Sequence, residues 1–378
     1  MRKSAFVPLF CCFLLAAGGF SCAQKFQTFQ MPRPYAVEKI AGQAGRDKPR
    51  NVILMVGDGM SLATMVTAWA ANRGHLNIEN CQYVGLAKTY SANRLLTDSA
   101  AAGTAFATGR KTNNHSVGVD AEGKPQPSIL DIARQHGLST GLIATCNILD
   151  ATPAVFVAKK GDRDLWGDIA PQFVASGVDF ACGGGWKNFK NGKDGRDLTK
   201  ELANRGYQLP RTVEELEKIN EGRVFALIAD DNLPQAKQRG DVLSRAAMKA
   251  VELLGRNERG FFLMIEGSMI DDGGHDNRLD RMMDEVHDFD RTVGSVLRWA
   301  AQDGKTLVVV TADHETGGWT LLGGDIATGR VQGRFSTDGH SGVMVPVYSF
   351  GPGAENFTGI FENTALFDKM LDAYAFGD

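Results

Sequence analysis

Neither sign of charge is in excess in this chain. Its 378 residues carry 41 Lys and Arg against 44 Asp and Glu, a net charge of −3. That balance gives no reason to expect nucleic acid or an anionic membrane as a partner. Cysteine is scarce as well. Cys11, Cys12 and Cys22 lie close to the N-terminus, which leaves Cys81, Cys146 and Cys182, an odd number without close spacing. A disulfide scaffold is thereby excluded; one pair at most could bridge, and Cys146, ending an apolar run, reads as buried. Internal repeats and low-complexity tracts are missing, and histidine is limited to seven residues. What is plentiful is glycine, 44 residues, which fits many tight turns around a sheet. The length suffices for one large domain or two.

The one long apolar run, Ala5 to Phe20, follows Arg2 and Lys3 and ends in Ser21-Cys22-Ala23. It is too short for a comfortable membrane span and reads as an export signal. Two processing routes stay open. One is ordinary cleavage before Gln24, giving a signal over 1–23. The other is a lipoprotein signal over 1–21 with Cys22 lipidated, the only membrane attachment expected. Both carry the protein out of the cytoplasm, into the periplasm or the medium.

Residues 24–50 are polar, contain Pro32, Pro34 and Pro49, and read as a lead-in arm. From 51 to 378 a single domain is expected. "NVILMVGDG" (51–59), "TGLIATC" (140–146), "GFFLMIEG" (260–267), "KTLVVVTADH" (305–314) and "VPVYSFG" (345–351) are continuous apolar runs, as in a parallel sheet covered on both faces. Between them, "SILDIARQHG", "VLSRAAMKAVELLG" and "MMDEVHDFDRTVGSVLRWAAQDG" have helical spacing and end at Gly. This alternation predicts an α/β fold, doubly wound, with a mostly parallel central sheet flanked by helices on both faces. The stretch 183–240 reads as a peripheral insertion.

The acids fall in a telling place. Asp58, Asp150, Glu266 and Asp313 all lie at or just beyond the ends of predicted strands, the edge where open α/β sheets bind ligands. Four carboxylates at one edge repel one another unless cations lie among them. Three histidines join them: His275 in "EGSMIDDGGHD", His314 in "TADHETGGW" and His340 in "TDGHSG". Asp271 and His275, four apart, share one face of a turn or helix. Mixed His and Asp sets suit Zn²⁺, and oxygen-only sets suit Mg²⁺, so more than one metal is expected. Taken singly, each fragment is unremarkable: a Gly-Asp-Gly turn, a Thr97-Asp98-Ser99 helix cap, a surface Asp-His pair. Their joint placement at strand ends is what argues for a site. His75, His115, His136 and His287 have no such company and read as ordinary surface or core residues. "LLTDSAAAGTAFATGRKTNN" (95–114) places Ser99 at the head of a small-residue helix with no His or Lys base beside it in sequence.

Together these segments resemble the alkaline phosphatase family. The resemblance rests on "NVILMVGDGM", "TDSAAAGTAFATGRKTNNHSVGVD", "DATPAVFVAKKGDR", "GGGWKNF", "FFLMIEGSMIDDGGH", "LVVVTADHETGGW" and "DGHSG", in that order. It implies a phosphate monoester hydrolase with two Zn²⁺ and one Mg²⁺, acting through a phosphoserine on Ser99. Asp271, His275 and His340 would hold the first zinc, and Asp58, Asp313 and His314, with Ser99, the second. Asp58, Thr152 and Glu266 would hold magnesium, with Asp150 nearby, and Arg163 would clamp two phosphate oxygens. The chain departs from the pattern at Asp272, where a basic or aromatic residue is expected beside the phosphate. This implies stronger Mg²⁺ dependence and weaker phosphate retention. The chain is also short for the family, and a homodimer is compatible with the resemblance. Within the same superfamily a phosphodiesterase is the alternative. A sulfatase is disfavoured because no Pro follows in Ser99-Ala100-Ala101. A non-catalytic exported protein that binds phosphate or metal is disfavoured by the intact nucleophile and ligand set.

Overall fold

The computed structural model describes residues 25–42 and 48–374. The export segment and Cys22 therefore lie outside the described residues. Among those described, ten strands form the central sheet. Their spatial order is Gly359–Glu362, Tyr83–Lys88, Val345–Phe350, Thr306–Thr311, Asn51–Gly57, Phe261–Gly267, Ser139–Asn147, Phe180–Gly184, Arg223–Leu227 and Tyr207–Gln208. Every neighbouring pair is parallel except those made by Val345–Phe350, which runs antiparallel to both neighbours. A continuous apolar run predicts burial on both faces but carries no information on strand direction, hence this departure from the expected parallel pairing. All residues of Asn51–Gly57, Phe261–Gly267 and Thr306–Thr311 are buried, as their unbroken Val, Ile, Leu, Met and Phe content requires.

Helices cover the sheet in two sets. Leu62–Ala71 and Val242–Leu254 each pack on Leu279–Asp303, and Ser99–Thr108 packs with Ile129–Gln135, Ala151–Ala154 and Ala365–Tyr374. The long helix Leu279–Asp303 is anchored from its inner face. Buried Glu285 and Asp288 accept hydrogen bonds from Arg239 at 2.6 and 2.7 Å. A buried charge left alone would be strongly destabilising, so the three must stand together.

The stretch 183–240 supplies Arg223–Leu227 and Tyr207–Gln208, the outermost strands at one side of the sheet. The arm is folded onto the domain. Gln27–Gln30 pairs with Arg330–Arg334 in a three-stranded sheet with Thr320–Asp325, and the Tyr35 amide donates to Asn72 Oδ1 at 2.9 Å. Cys81, Cys146 and Cys182 are free thiols. No helix among the described residues is long and apolar enough to cross a membrane.

Candidate active site

Parallel register brings the strand ends level. Val56 pairs with both Glu266 and Thr311, and Ala144 pairs with Glu266. Asp58 therefore emerges just past its strand, Glu266 lies one residue before the end of its own, and Asp313 follows two residues after Thr311. Thr152 arrives on the short Ala151–Ala154 helix that follows Ser139–Asn147. One edge of the sheet thus receives every acid that the strand pattern pointed to.

Ser99 opens the helix Ser99–Thr108, but it does not cap it. The cap is Asp98, in extended geometry, whose Oδ1 accepts from the Ala101 amide at 3.0 Å. All ten helix residues are buried. Nine of the ten are Ser, Ala, Gly or Thr, which lets neighbouring elements close in around the helix. A Cβ on Gly103 would stand 3.2 Å from Val155 Cγ2, tighter than ordinary contact. The helix ends at Gly109, whose φ of 71° is the left-handed conformation that closes a helix. Ser99 is only 4% exposed, and its Oγ lies 3.2 Å from His314 Nε2.

Two clusters able to hold metal flank this hydroxyl: Asp58 with Asp313 and His314, and Asp271 with His275 and His340. In the first, His314 Nε2 stands 3.1 Å from Asp313 Oδ2 and 3.6 Å from Asp58 Oδ1. Asp313 Oδ1 is occupied by the amides of Gly59 and His314 at 3.1 and 2.9 Å. Its Oδ2, Asp58 Oδ1 and Thr152 Oγ1 are buried with no hydrogen-bond partner. In the second, His275 Nδ1 donates to the Asp338 carbonyl at 2.6 Å and His340 Nδ1 to the Thr97 carbonyl at 2.7 Å. Each ring thereby turns its Nε2 inward. The two Nε2 atoms stand 3.1 Å apart, with Asp271 at 3.3 Å from that of His275. Ring nitrogens fixed by a second hydrogen bond and aimed at carboxylates are how proteins hold divalent metals. An unmade hydrogen bond in a buried group costs about 1–3 kcal/mol, more for a charge. Three such atoms at one edge fit residues built around cations.

The electrostatics agree. Burial, then Asp313, Asp271 and Glu266, raise the Asp58 carboxyl far above the ordinary range. Burial and Asp150 push Glu266 up to about 8. His275 is raised to about 9, chiefly by its hydrogen bond to Asp271. In His340, burial and His314 lower the ring. So much uncompensated negative potential is relieved by protons or by metal ions, which compete for the same atoms.

Arg163 reaches the same edge. Its Nη2 donates to Asp150 Oδ1 at 2.7 Å, and Nη1 lies 3.6 Å from Asp98 Oδ2. The Asp98 that caps the Ser99 helix thus also steadies this guanidinium. Asp272 turns its carboxylate to Arg281, 2.5 Å from Nη2. Several contributors carried no sequence signal of their own. They are the carbonyls of Thr97 and Asp338, and Thr316, whose hydroxyl bonds Asp271 and meets His314 Nδ1 at 3.2 Å. His115, read as ordinary, stands exposed beside Asp162 and Asp164, which flank Arg163.

Acids and histidines gathered around a buried serine, at the carboxyl edge of a mostly parallel sheet, make this a metallohydrolase of the α/β type. A family model described as alkaline phosphatase matches residues 49–333. Alkaline phosphatase 4 of Bacillus subtilis is 33% identical, covering 96% of this chain and 95% of its own. The Escherichia coli enzyme is 30% identical, covering 86% of each. The solved alkaline phosphatase of the Antarctic bacterium TAB5 superposes with a TM-score of 0.83 at 36% identity, over 88% of this chain and all of that one. A mutant of that enzyme is described with Mg bound in the M3 site. The chain belongs to the alkaline phosphatase family, whose members are metal-dependent phosphoric monoester hydrolases.

Proposed function

We propose that this protein hydrolyses phosphate monoesters through a phosphoserine on Ser99, at a centre of two zinc ions and one magnesium ion. The observation that carries the proposal is the Ser99 hydroxyl, 3.2 Å from His314 Nε2, beside the partnerless oxygens of Asp58, Asp313 and Thr152. Asp271, His275 and His340 would hold one zinc. Asp58, Asp313, His314 and Ser99 would hold the other. Asp58, Thr152 and Glu266 would hold magnesium, an oxygen-only set in keeping with that ion. Bound there, such cations stabilise charge on the transferring group and acidify hydroxyls and water.

The chain's own residues supply position. Ser99 sits in the first turn of a ten-residue helix, where the dipole and the amides favour an anion. Arg163 presents its fork to two phosphate oxygens, with Asp98 and Asp150 fixing its plane. Ser99 Oγ forms the new P–O bond as the ester P–O bond breaks on the opposite side, the alcohol leaving toward the His275–His340 cluster. Water then attacks the phosphorus of phosphoserine, its O–P bond to Ser99 breaks, and inorganic phosphate leaves with the serine regenerated. Burial of Ser99 keeps stray water from the first step. Asp150 and Asp272 complete the phosphate surroundings, with Asp272 acting through its pairing to Arg281. A phosphodiesterase is the second reading; the oxygen-only set of Thr152 and Glu266 favours monoesters. Acid quenching during turnover of p-nitrophenyl phosphate, followed by peptide mass analysis, tests the intermediate. One phosphoryl group is expected on the Ser99 peptide, and its absence from an enzyme caught in turnover would count against it.

The same proposal includes export, with the protein periplasmic or secreted, or tethered through a lipidated Cys22. Fatty-acid labelling of wild type and Cys22→Ala separates the two routes. It also includes a homodimer. Leu62 and Val66, four apart on one helix, are exposed beside Val84, Val343 and Met344. A two-fold interface buries the same patch on both copies, and this apolar patch would be the one covered. Sedimentation equilibrium at micromolar protein reads the mass.

A further inference from the structure

Thr316 touches both metal clusters. Its hydroxyl hydrogen bonds Asp271 Oδ1, and the same oxygen lies 3.2 Å from His314 Nδ1. Its backbone pairs with His340 in the short ladder of Glu315–Thr316 with His340–Ser341, and its amide donates to the Gly59 carbonyl at 3.2 Å, next to Asp58. The surroundings are shaped to fit it. A Cβ on Gly59 would stand 2.9 Å from Thr316 Oγ1, and one on Gly274 would stand 2.9 Å from Thr316 Cβ. Glu315 locks the ladder, accepting from the Ser341 hydroxyl and from the Trp319 amide.

A hydroxyl has one proton. Asp271, an ionised carboxylate, can only accept, so the Thr316 proton is committed to it. The Thr316 oxygen must then accept from His314, which places a proton on Nδ1 and leaves Nε2, the atom facing Asp58, Asp313 and Ser99, as a lone pair. Were the hydroxyl free to rotate, it could donate to Nδ1, and Nε2 would carry a proton and be unable to ligate.

We propose that Thr316 is a positioning residue that couples the two clusters: through its hydroxyl, the Asp271 carboxylate selects the metal-binding tautomer of His314. The proposal rests on the two-zinc reading above. Outer partners of this kind are worth about 10–100-fold in metal affinity.

The test uses metal-free full chain and zinc(II), titrated in competition with a chromophoric chelator. Wild type should take up two zinc ions tightly. Thr316→Val keeps the shape and removes the hydroxyl, and should hold the weaker of the two ions about 10–100-fold less tightly. Thr316→Ser keeps the hydroxyl and should titrate like wild type. Thermal unfolding of the metal-free proteins should be alike for Ser and wild type, with Val folded. Equal zinc affinities in Thr316→Val and wild type would overturn the proposal. So would equal weakening in Thr316→Ser and Thr316→Val, which would make packing the cause. Wild type that takes up no zinc would instead overturn the two-zinc reading, and this inference with it.

Discussion

Asp98 and Arg163 stand 3.6 Å apart, and the same carboxylate caps the helix that begins with Ser99. The proposed nucleophile and the proposed phosphate clamp are thus tied to one side chain. Asp98→Asn keeps an acceptor for the Ala101 amide while removing the charge beside Arg163. It should lower kcat/KM for a phosphate monoester by about 10-fold, in line with loss of one charge-assisted contact of about 1.5 kcal/mol. Asp98→Ala should also lose about 1 kcal/mol of stability, the worth of a helix cap. Steady-state kinetics and urea unfolding read the two effects apart. Unaltered kinetics in Asp98→Asn would remove Asp98 from the account.

Ser99 has a separable role. Ser99→Ala deletes the oxygen proposed to attack phosphorus but leaves Asp271, His275 and His340 intact. Turnover should fall by at least about 10³-fold, while zinc binding at that cluster survives. Metal analysis of the purified variant checks the second half. A variant with near-normal turnover would mean that water, not Ser99, attacks phosphorus.

Asp272 is paired with Arg281 at 2.5 Å, and Arg281 also pairs with Asp276. Asp272→Lys would bring a positive charge near the phosphate while placing it against Arg281. Inhibition by inorganic phosphate should tighten, and added Mg²⁺ should matter less. Stability should fall by about 1 kcal/mol from the like-charge contact. Inhibition constants with and without added Mg²⁺ decide the point; identical values in both proteins would dismiss the idea.

His287 makes a pH prediction away from the site. It stacks against Phe29 with ring centroids 6.3 Å apart, and its Nδ1 lies 3.4 Å from the Tyr35 hydroxyl. Burial, with Arg291 beside it, pushes its pKa from 6.5 down to about 3. Between those two pH values the unfolded chain binds a proton that the folded chain refuses. Stability therefore falls as pH drops through that window, by up to about 1.4 kcal/mol per unit. In metal-free protein, the stability lost between pH 6.5 and 5.5 should be about 1 kcal/mol smaller in His287→Gln than in wild type. Equal losses in urea unfolding would contradict this.

Much of the site was legible because its residues sit in short local patterns at strand ends. Asp58 follows an unmistakable buried run, and Asp313-His314 ends another. Thr316 could not be read in this way. Its partner Asp271 is 45 positions away, and a Thr after Asp-His-Glu has no chemistry of its own until the fold brings the two together. Asp98 was visible as capping chemistry, but its second contact, to Arg163, spans two separate loops. The strands Tyr83–Lys88 and Phe180–Gly184 escaped notice for different reasons. The first mixes exposed and buried positions, and the second is short and ends in glycines. Strand direction at Val345–Phe350 was illegible in principle, since burial on both faces is the same either way.

The most direct measurement of the central claim is hydrolysis of p-nitrophenyl phosphate and of its bis-ester, before and after EDTA and after return of Zn²⁺ and Mg²⁺. The account predicts fast monoester turnover that EDTA abolishes and the two ions restore, with the bis-ester slower throughout. Monoester turnover that persists in fully metal-free protein, or a bis-ester cleaved faster than the monoester, would contradict it.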